Sequence, residues 1–361
     1  MLQRLPDSTI SFHTEPNLEL PMSDSDTTAG SGRDASQRTS DRQIGRDGVI
    51  ESVATIFWNS NENRVRALWR ALGAFLLTVV GAVMVLPGVL LSNFTLPPSV
   101  TGLTATVTTT VVVVIVMLIW ARFVDRRPVA DYGLDLNAKW LTGFGVGIGT
   151  AVIGWGTALV VDLAAGWATV SAMFVPGTGD DVLPFGIALS VFAANYLLVG
   201  IWEEIVFRGL IQTNAIEGLQ NRWLSDRAAL LGGVVVSSLL FGALHGSQAT
   251  TMLALGYWVG VGVILGSAYA LTDSLAVPIG LHFATNFAFN NVYGLSSVRE
   301  GTAVLPKVIQ PTFTGPEQFV GVSGLVNIGA VGCLGLLLVG YVFVRYGEFT
   351  ARFSTTYSRG S

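Results

Sequence analysis

The sequence predicts an all-α polytopic membrane protein with about eight transmembrane helices, preceded by a disordered acidic N-terminal tail. Two properties lead to this fold class. Of the 361 residues, 51% are hydrophobic and only 12% are charged, whereas soluble globular proteins carry about 25% charged residues. Apolar runs of about 20 residues, the length needed to cross a bilayer as a helix, also recur along the chain. Together these properties exclude an ordinary soluble enzyme, and the net charge of −4 argues against a nucleic-acid partner.

Charged residues concentrate at the amino-terminal end. Residues 1–62 hold ten of the 24 acidic and five of the 20 basic residues, together with many Ser, Thr and Gly. Such a polar segment cannot bury enough apolar surface to fold. We therefore expect a disordered cytoplasmic tail over 1–64, a membrane domain over 65–345 and a short cytoplasmic tail over 346–361.

Eight apolar runs are long enough to be membrane spans. They are Ala71–Leu91, Leu103–Ala121, Leu141–Leu163, Pro184–Arg208 or beyond, Ala228–His245, Met252–Leu271, Leu275–Tyr293 and Phe319–Val344. The second run is rich in Val and Thr, which favour strands in soluble proteins. In lipid, a lone strand leaves its backbone groups unsatisfied, so we expect a helix there too. The third run is rich in glycine, which favours close helix packing.

Arginine and lysine lie on alternate connections between these runs. The connections 92–102, 164–183 and 246–251 contain neither residue, whereas basic residues precede the first run and follow the second, fourth and eighth. Only the connection 294–318 departs from this alternation. Because basic loops stay on the cytoplasmic side of a membrane, the pattern predicts a multi-pass protein of the cell membrane with both termini in the cytoplasm.

A small set of polar side chains falls inside the runs and forms the candidate functional site, because an ionisable group in lipid is costly and is usually kept for function. With one aromatic neighbour, the set is Glu203, Glu204, Arg208, Phe241, His245, His282 and Asn286. Two of the three histidines in the chain belong to it. This concentration of ionisable groups predicts catalysis rather than packing alone.

Helical spacing separates the two glutamates. Glu204 and Arg208 are four residues apart, so they share a face and can form an internal ion pair. Glu203 points about 100° away and has no cation on its own helix. A buried carboxylate without a counter-charge can accept a proton near neutral pH. One turn separates Phe241 from His245, so we expect the two rings to pack together.

Residue counting tests whether these side chains can meet. Glu203 and His245 are equidistant from position 224 in their connector, so they reach similar depths if the fourth helix continues to about Gln220. His282 lies only a few residues from its own connector and does not match this depth. A short or bent helix, or a buried connector, is needed to bring His282 to the site.

Three groups of these residues, taken in order, resemble the three motifs of the CPBP intramembrane protease family. The groups are Glu203-Glu204-x-x-x-Arg208, Phe241-x-x-x-His245 and His282-x-x-x-Asn286. The same family is known as the CAAX-protease and bacteriocin-processing (Abi) family. The resemblance covers about residues 184–293 and makes this segment the protease core. It implies an intramembrane endopeptidase similar to the type II CAAX prenyl proteases, which are often classed among the metalloendopeptidases.

The resemblance also implies a role for each motif residue. The catalytic residues would be Glu203, His245, His282 and Asn286, and the supporting residues would be Glu204, Arg208 and Phe241. The first two catalytic residues would activate a water for attack on the scissile carbonyl, and the last two would stabilise the oxyanion. Such an oxyanion needs preorganised donors in a dry site, and an asparagine supplies them without charge.

Whether the reaction would need a metal is open, and two mechanisms are possible. Glu203, His245 and His282 form the ligand set of many catalytic zinc sites. If all three bound zinc, the remaining carboxylate would be Glu204, which is committed to Arg208. A glutamate-dependent mechanism without a metal or other cofactor is therefore preferred.

The expected partners are the lipid bilayer and a membrane-associated peptide or protein substrate, prenylated or not. Two other functions stay open. One is a non-catalytic immunity or scaffold protein of the same fold, and the other is a proton-coupled transporter that uses the glutamate and the histidines as a relay. The complete motif set favours the protease, and the lack of an internal repeat argues against the transporter.

Overall fold

The computed structural model describes residues 55–85, 88, 98–177, 183–220, 224–249, 251–298 and 305–347. The chain divides into two units, Met1–Ala54 and Thr55–Ser361, and the described residues all belong to the second. The first unit lies outside the described residues, and with it most of the tail predicted over 1–64. All but the start of the tail predicted over 346–361 also lies outside them.

The described part of the chain is mostly helical, as predicted. Six helices are long and apolar enough to cross a membrane: Val100–Asp125, Ala138–Ala164, Phe185–Leu219, Asp226–Leu244, Met252–Thr272 and Glu317–Tyr346. They coincide with the second to sixth and the eighth predicted runs. Their number and length are those of a multi-pass membrane protein.

The secondary structure is numbered in chain order. Its elements are β1 (Trp58–Asn59), β2 (Arg64–Val65), α1 (Ala67–Phe75), α2 (Pro98–Ile119), α3 (Ala138–Ala164), β3 (Ala168–Val175), α4 (Phe185–Glu204), α5 (Thr213–Leu219), α6 (Asp226–Leu244), α7 (Met252–Thr272), α8 (Ala276–Phe287), β4 (Lys307–Phe313), α9 (Glu317–Val320) and α10 (Leu325–Tyr346). Four π-helical segments extend or join these helices, at Leu76–Val85, Trp120–Asp125, Ile205–Gln212 and Ala288–Val292. The run rich in Val and Thr forms α2, as the unsatisfied backbone of a lone strand in lipid requires.

The first and seventh predicted runs differ from expectation. The helix that begins with α1 is described only to Val85, so the end of the run Ala71–Leu91 lies outside the described residues apart from residue 88. In the seventh run, α8 has 12 residues and its π-helical extension has five, fewer than the other spans. The connector before α8 is itself buried, because Leu275 is fully enclosed and donates its N–H to the Gly133 carbonyl at 3.0 Å.

Glycines allow α8 to pack closely against α3. A Cβ atom on Gly147 would lie 2.3 Å from the Val277 carbonyl oxygen, and one on Gly280 would lie 2.1 Å from the Phe144 carbonyl oxygen. No real Cβ atom tolerates such distances, so both helices depend on glycine where they cross. The glycine-rich third run therefore serves helix packing, as predicted.

A two-stranded antiparallel sheet joins two connections that the sequence left as loops. β3 follows α3, and β4 precedes α9 and α10; their register runs from Ala168 opposite Phe313 to Val175 opposite Lys307, with an irregularity between Val170 and Ala172. Because the strands pair, the connection after α3 and the connection before α10 lie at the same end of the helix bundle.

A cluster of charged side chains occupies the opposite end of the bundle, and nothing in the spacing of the sequence predicts it. It consists of Arg64, Arg70, Asp125, Arg127 and Glu217. Glu217 contacts all three arginines, at 2.9 Å from Arg70, and Asp125 lies 3.2 Å from Arg70. Arg64, Arg70 and Asp125 are almost completely buried, so their charges are compensated inside the protein.

Neutral side chains complete this charge cluster. Asn214 donates to Asp125 at 2.9 Å, and the Tyr132 hydroxyl donates to the same carboxylate. Burial and the neighbouring Asp125 carboxylate raise the pKa of Tyr132, so the hydroxyl keeps its proton and remains a donor. Since buried Arg64 belongs to the cluster, the folded unit begins before the boundary that the sequence suggested at residue 65.

We expect Glu217→Gln to destabilise the protein, because it removes the carboxylate that the three arginines share. Breaking a buried ion pair on one side typically costs about 3–5 kcal/mol. Thermal unfolding of the purified protein in detergent would measure the change. Asp226→Asn, which alters an exposed carboxylate at the start of α6, is the matched control and should melt close to the parent. Equal melting temperatures for the two variants would contradict the role given to the cluster.

Candidate active site

The predicted site residues gather where α4 and its π-helical extension meet α6, α7 and α8. Glu203 and Glu204 end α4 and are 8% and 0% exposed. The helix continues through the π-helical segment to Leu219, as the depth argument from the sequence required. At 1.5 Å per residue this 35-residue helix is about 50 Å long, so it carries the glutamates inside the bundle and Glu217 at its end.

The Glu204 carboxylate holds the site together. Its Oε1 accepts from Arg208 Nη1 at 3.0 Å and from His282 Nδ1 at 2.7 Å. Arg208 is fully buried and also donates to the Gly262 carbonyl of α7 at 3.0 Å. The ion pair expected from the spacing is therefore present, and the bond from His282 adds a link to α8 that the spacing did not predict.

Among the described residues, no arginine or lysine forms a direct salt bridge with Glu203. Its Oε2 is buried without a hydrogen bond among the described residues, and His282 Nε2 lies 3.8 Å from it. The imidazole of His282 therefore lies between the two glutamates. No hydrogen bond or ion pair joins Glu203 to His245 within the described part of the chain. Because His282 lies beside both carboxylates, it reaches the same depth in the helix bundle as the end of α4, although it lies only a few residues from its own connector.

His245 follows the last residue of α6, and its ring lies between two aromatic rings. The Phe241 ring is 4.4 Å away and the Trp258 ring of α7 is 4.4 Å away at an interplanar angle of 23°. His245 Nδ1 is 2.8 Å from the Phe241 carbonyl oxygen. Because a carbonyl only accepts, Nδ1 carries the proton, and Nε2 of the neutral ring is left to accept one.

The Phe241 ring contacts both histidines and the arginine of the site. Its ring centroid is 5.8 Å from that of His282, and the Arg208 guanidinium lies 4.8 Å above it. The two histidines thus approach the same phenylalanine from α6 and α8. Sequence analysis missed Trp258, because a tryptophan in an apolar span carries no motif and only the stacking distance identifies it.

Asn286 lies one turn beyond His282 on α8 and is half-buried. Its side chain forms no hydrogen bond with the described residues, whereas its backbone carbonyl accepts from Asn290 at 2.8 Å. The Asn286 amide therefore has free donors on the helix face that His282 occupies.

The π-helical segment after Glu204 is held by side chains of neighbouring helices. Ser237 of α6 donates to the Phe207 carbonyl at 3.0 Å, and Gln212 donates to the Gly266 carbonyl of α7 at 2.9 Å. π-helical turns are rare and occur frequently at functional sites. Here the turn places Arg208 between α6 and α7, directly below the glutamates.

The candidate zinc ligands do not assemble into a metal site in this arrangement. Among the described residues, no group of three His, Cys, Asp or Glu side chains has the geometry to hold an ion. Glu203, His245 and His282 therefore do not form a ready-made zinc site in this structure.

Comparison with known families identifies the segment that carries this site. Residues 185–288 match the family model described as type II CAAX prenyl endopeptidase Rce1-like. The chain carries a CAAX prenyl endopeptidase domain. All seven predicted site residues lie within the match, whose limits are close to the protease core expected at about 184–293. The match to this family model suggests a protease.

The CAAX endopeptidase domain covers α4 to α8 and leaves the helices on either side of it unmatched. The first three helices and α10 lie outside residues 185–288. Neither the curated proteins nor the solved structures compared with the chain give a match.

We expect Arg208→Ala to destabilise the protein far more than Glu203→Gln. Removing the guanidinium leaves the fully buried Glu204 without its arginine, which typically costs about 3–5 kcal/mol. Glu203→Gln keeps the shape of the side chain and removes a charge that forms no direct salt bridge with an arginine or lysine of the described residues. Expression yield and melting temperature in detergent would measure both effects. The pairing would be wrong if both variants behaved like the parent.

Proposed function

We propose that the protein is an intramembrane endopeptidase that hydrolyses a peptide bond of a membrane-associated CAAX-type substrate. The observation that carries this proposal is Glu203. Its carboxylate is buried, forms no direct salt bridge with an arginine or lysine of the described residues, and leaves Oε2 without a hydrogen bond among them. A group kept in so unfavourable an environment within a CAAX endopeptidase domain is best explained by the proton that it takes up during the reaction.

In this mechanism Glu203 and His245 together activate a water. Glu203 Oε2 and His245 Nε2 are both acceptors, so a water between them can lose a proton as its oxygen attacks the scissile carbonyl. The proton then passes to the leaving amine as the tetrahedral intermediate collapses. The stacking of His245 between Phe241 and Trp258 holds the ring in one orientation throughout.

His282 and Asn286 are the proposed oxyanion donors. His282 donates Nδ1–H to Glu204, which fixes the ring, and as the imidazolium it also carries an Nε2–H that faces Glu203 and the space beside it. Asn286 has uncommitted amide donors one turn away. Donors fixed before the reaction act strongly in a site that excludes water, and Glu204 and Arg208 serve to hold them rather than to react.

The other two functions make different predictions for the same residue. A scaffold or immunity protein of this fold would bind its partner equally well with Glu203→Gln. A proton-coupled transporter would show flux in proteoliposomes, and this flux would be lost in the same variant. The family of the domain favours cleavage of a prenylated protein, and the bilayer and such a substrate are the proposed partners.

We also propose that the chain crosses the membrane eight times with both termini in the cytoplasm. β3 and β4 pair, so the chain returns to the same end of the bundle between them. A return requires an even number of crossings, and the described residues of this interval contain three long helices. This parity supports α8 with its π-helical extension as the fourth crossing, although it is shorter than the others. The basic residues at the opposite end support a cytoplasmic location for that end.

We expect Glu203→Gln and His245→Ala each to abolish cleavage of a prenylated CAAX peptide by the purified protein. The double variant should be no less active than either single variant, because residues that act as one unit are not additive. Asn286→Ala should retain measurable activity, since one lost oxyanion donor typically costs about 10²–10³ in rate. His282→Ala should fall between these.

The matched control for this series is His13→Ala, which removes the third histidine of the chain and should cleave at the parent rate. Melting temperatures would separate lost chemistry from lost folding. A folded Glu203→Gln protein that still cleaved the peptide would exclude Glu203 as the base.

We expect a membrane-permeant chelator to leave peptide cleavage unchanged. The reason is that the proposed reaction depends on a glutamate and two histidines that do not assemble as metal ligands. Activity should be measured before and after chelation and again after zinc is added. Stoichiometric zinc, lost together with activity and restored with it, would recast Glu203, His245 and His282 as ligands.

We expect reporters fused after Gly177 and Gly315 to lie outside the cell, and reporters fused after Arg127 and Gly347 to lie in the cytoplasm. The first pair follows the two paired strands and the second pair follows basic helix ends. Enzymatic reporters that are active on only one side of the membrane would measure this. An external signal at Gly347 would overturn the eight crossings.

A further inference from the structure

A second cavity lies away from the proposed active site, at the end of the bundle where α3 begins and α7 and α10 end. Its volume is about 320 Å³. Its charged and aromatic walls include Asp135, Lys139, Trp140, Asp273, Arg345 and Tyr346. Neither the family of the domain nor the proposed reaction assigns it a role, since only Asp273 among these residues falls within the CAAX endopeptidase match.

The position of the cavity sets the kind of ligand that reaches it. Three membrane-length helices end around it, so it lies at the level of the lipid headgroups. Apolar side chains next to its walls point outward, with Leu141 64% and Val344 85% exposed, as expected for helix surfaces covered by acyl chains. A ligand at this depth therefore has a polar part in the cavity and apolar chains beside it.

The cavity is lined by two positively charged and two negatively charged side chains. Lys139 and Arg345 are exposed and form no ion pair with another described residue. Asp135 accepts from the Asn137 amide at 2.7 Å, and Asp273 ends α7 in a left-handed conformation with φ of 50°. Two cations suit a phosphate, and two carboxylates suit a group with N–H or O–H donors.

Aromatic side chains give the cavity a fixed wall. The Trp140 indole donates to the Gly133 carbonyl at 3.1 Å, and the Arg345 guanidinium lies 5.3 Å from the Tyr346 ring. Trp and Tyr are enriched at the membrane interface, where one side of the ring meets lipid and the other meets headgroups.

We propose that this cavity binds the headgroup of a membrane phospholipid. The phosphodiester lies against Lys139 and Arg345, and the hydroxyl or ammonium donors of the headgroup bind Asp135 and Asp273. A volume of about 320 Å³ is at the small end of ligand sites, which suits a headgroup. The charge pattern selects phosphatidylglycerol and phosphatidylethanolamine over phosphatidylcholine, because choline has no N–H or O–H to donate.

Such a lipid would brace the start of α8. Asp273 belongs to the connector that enters α8, whose Leu275 N–H is bound by the Gly133 carbonyl. The same connector positions the helix that carries His282 and Asn286. The binding site itself does not depend on the proposed proteolysis, so it can be tested without an activity assay.

Native mass spectrometry of the purified full-length protein tests the proposal. The protein is first stripped of lipid and then exposed to micelles with equal amounts of phosphatidylglycerol, phosphatidylethanolamine and phosphatidylcholine of identical acyl chains. We expect the first two lipids to be retained about tenfold more than the third, the ratio typical of one lost charged hydrogen bond. Lys139→Gln and Arg345→Gln should each reduce retention of both by about tenfold.

Two further variants separate the parts of the proposal. Asp273→Asn keeps a residue that tolerates the left-handed conformation, so it should fold and lose the preference over phosphatidylcholine. Arg122→Gln alters an exposed cation at the end of α2, outside the cavity, and should retain lipid like the parent.

Three results would overturn the proposal. The first is equal retention of all three lipids by the parent. The second is parent-like retention by folded Lys139→Gln and Arg345→Gln proteins, with melting temperatures as the check. The third is displacement of the lipid by inorganic phosphate at an equal concentration, which would make this a site for a soluble phosphate rather than for a lipid.

Discussion

The carboxylate of Glu204 is the point on which the proposed site depends. A lone charge in a membrane protein is costly, and this one is fully buried with Arg208 at 3.0 Å and His282 at 2.7 Å. The same oxygen thus joins α4, its π-helical extension and α8. Because Arg208 pairs directly with Glu204, the neighbouring Glu203 has no direct salt bridge to an arginine or lysine among the described residues. Glu204 and Glu203 point in different directions from the same helix. Glu204 therefore takes the structural role, and Glu203 is left for the proposed chemistry.

Close helix packing is what allows this bond to form. His282 reaches Glu204 only because α8 lies against α3 and α4, and glycines remove the side chains that would separate the backbones. Gly147 and Gly280 serve the contact with α3, and a Cβ on Gly200 would lie 3.2 Å from the Phe283 nitrogen in the contact with α4. The buried connector before α8 completes the arrangement, since it starts the helix inside the protein instead of at its surface.

The CAAX endopeptidase domain is not energetically separate from the rest of the chain. Its long helix ends in Glu217, which is bound by arginines from β2, α1 and the segment after α2, all outside the family match. Its α8 packs on α3, which is also outside the match. The cavity that we assign to a lipid headgroup likewise joins Asp273 of the domain to residues of α3 and α10. Helices on both sides therefore hold the domain in place through charge and packing.

The sequence alone determined the membrane class, the positions of most spans, the Glu204–Arg208 pair and the residues that gather at the site. These follow from composition and from spacing along one helix, which are local properties. The tertiary structure decided that His282 lies between the two glutamates, that Trp258 stacks on His245 and that two distant connections pair as a sheet. It also decided that Glu217 and four other charged residues form one cluster. Each of these joins residues far apart in the chain, and no periodicity within one helix determines how two helices meet.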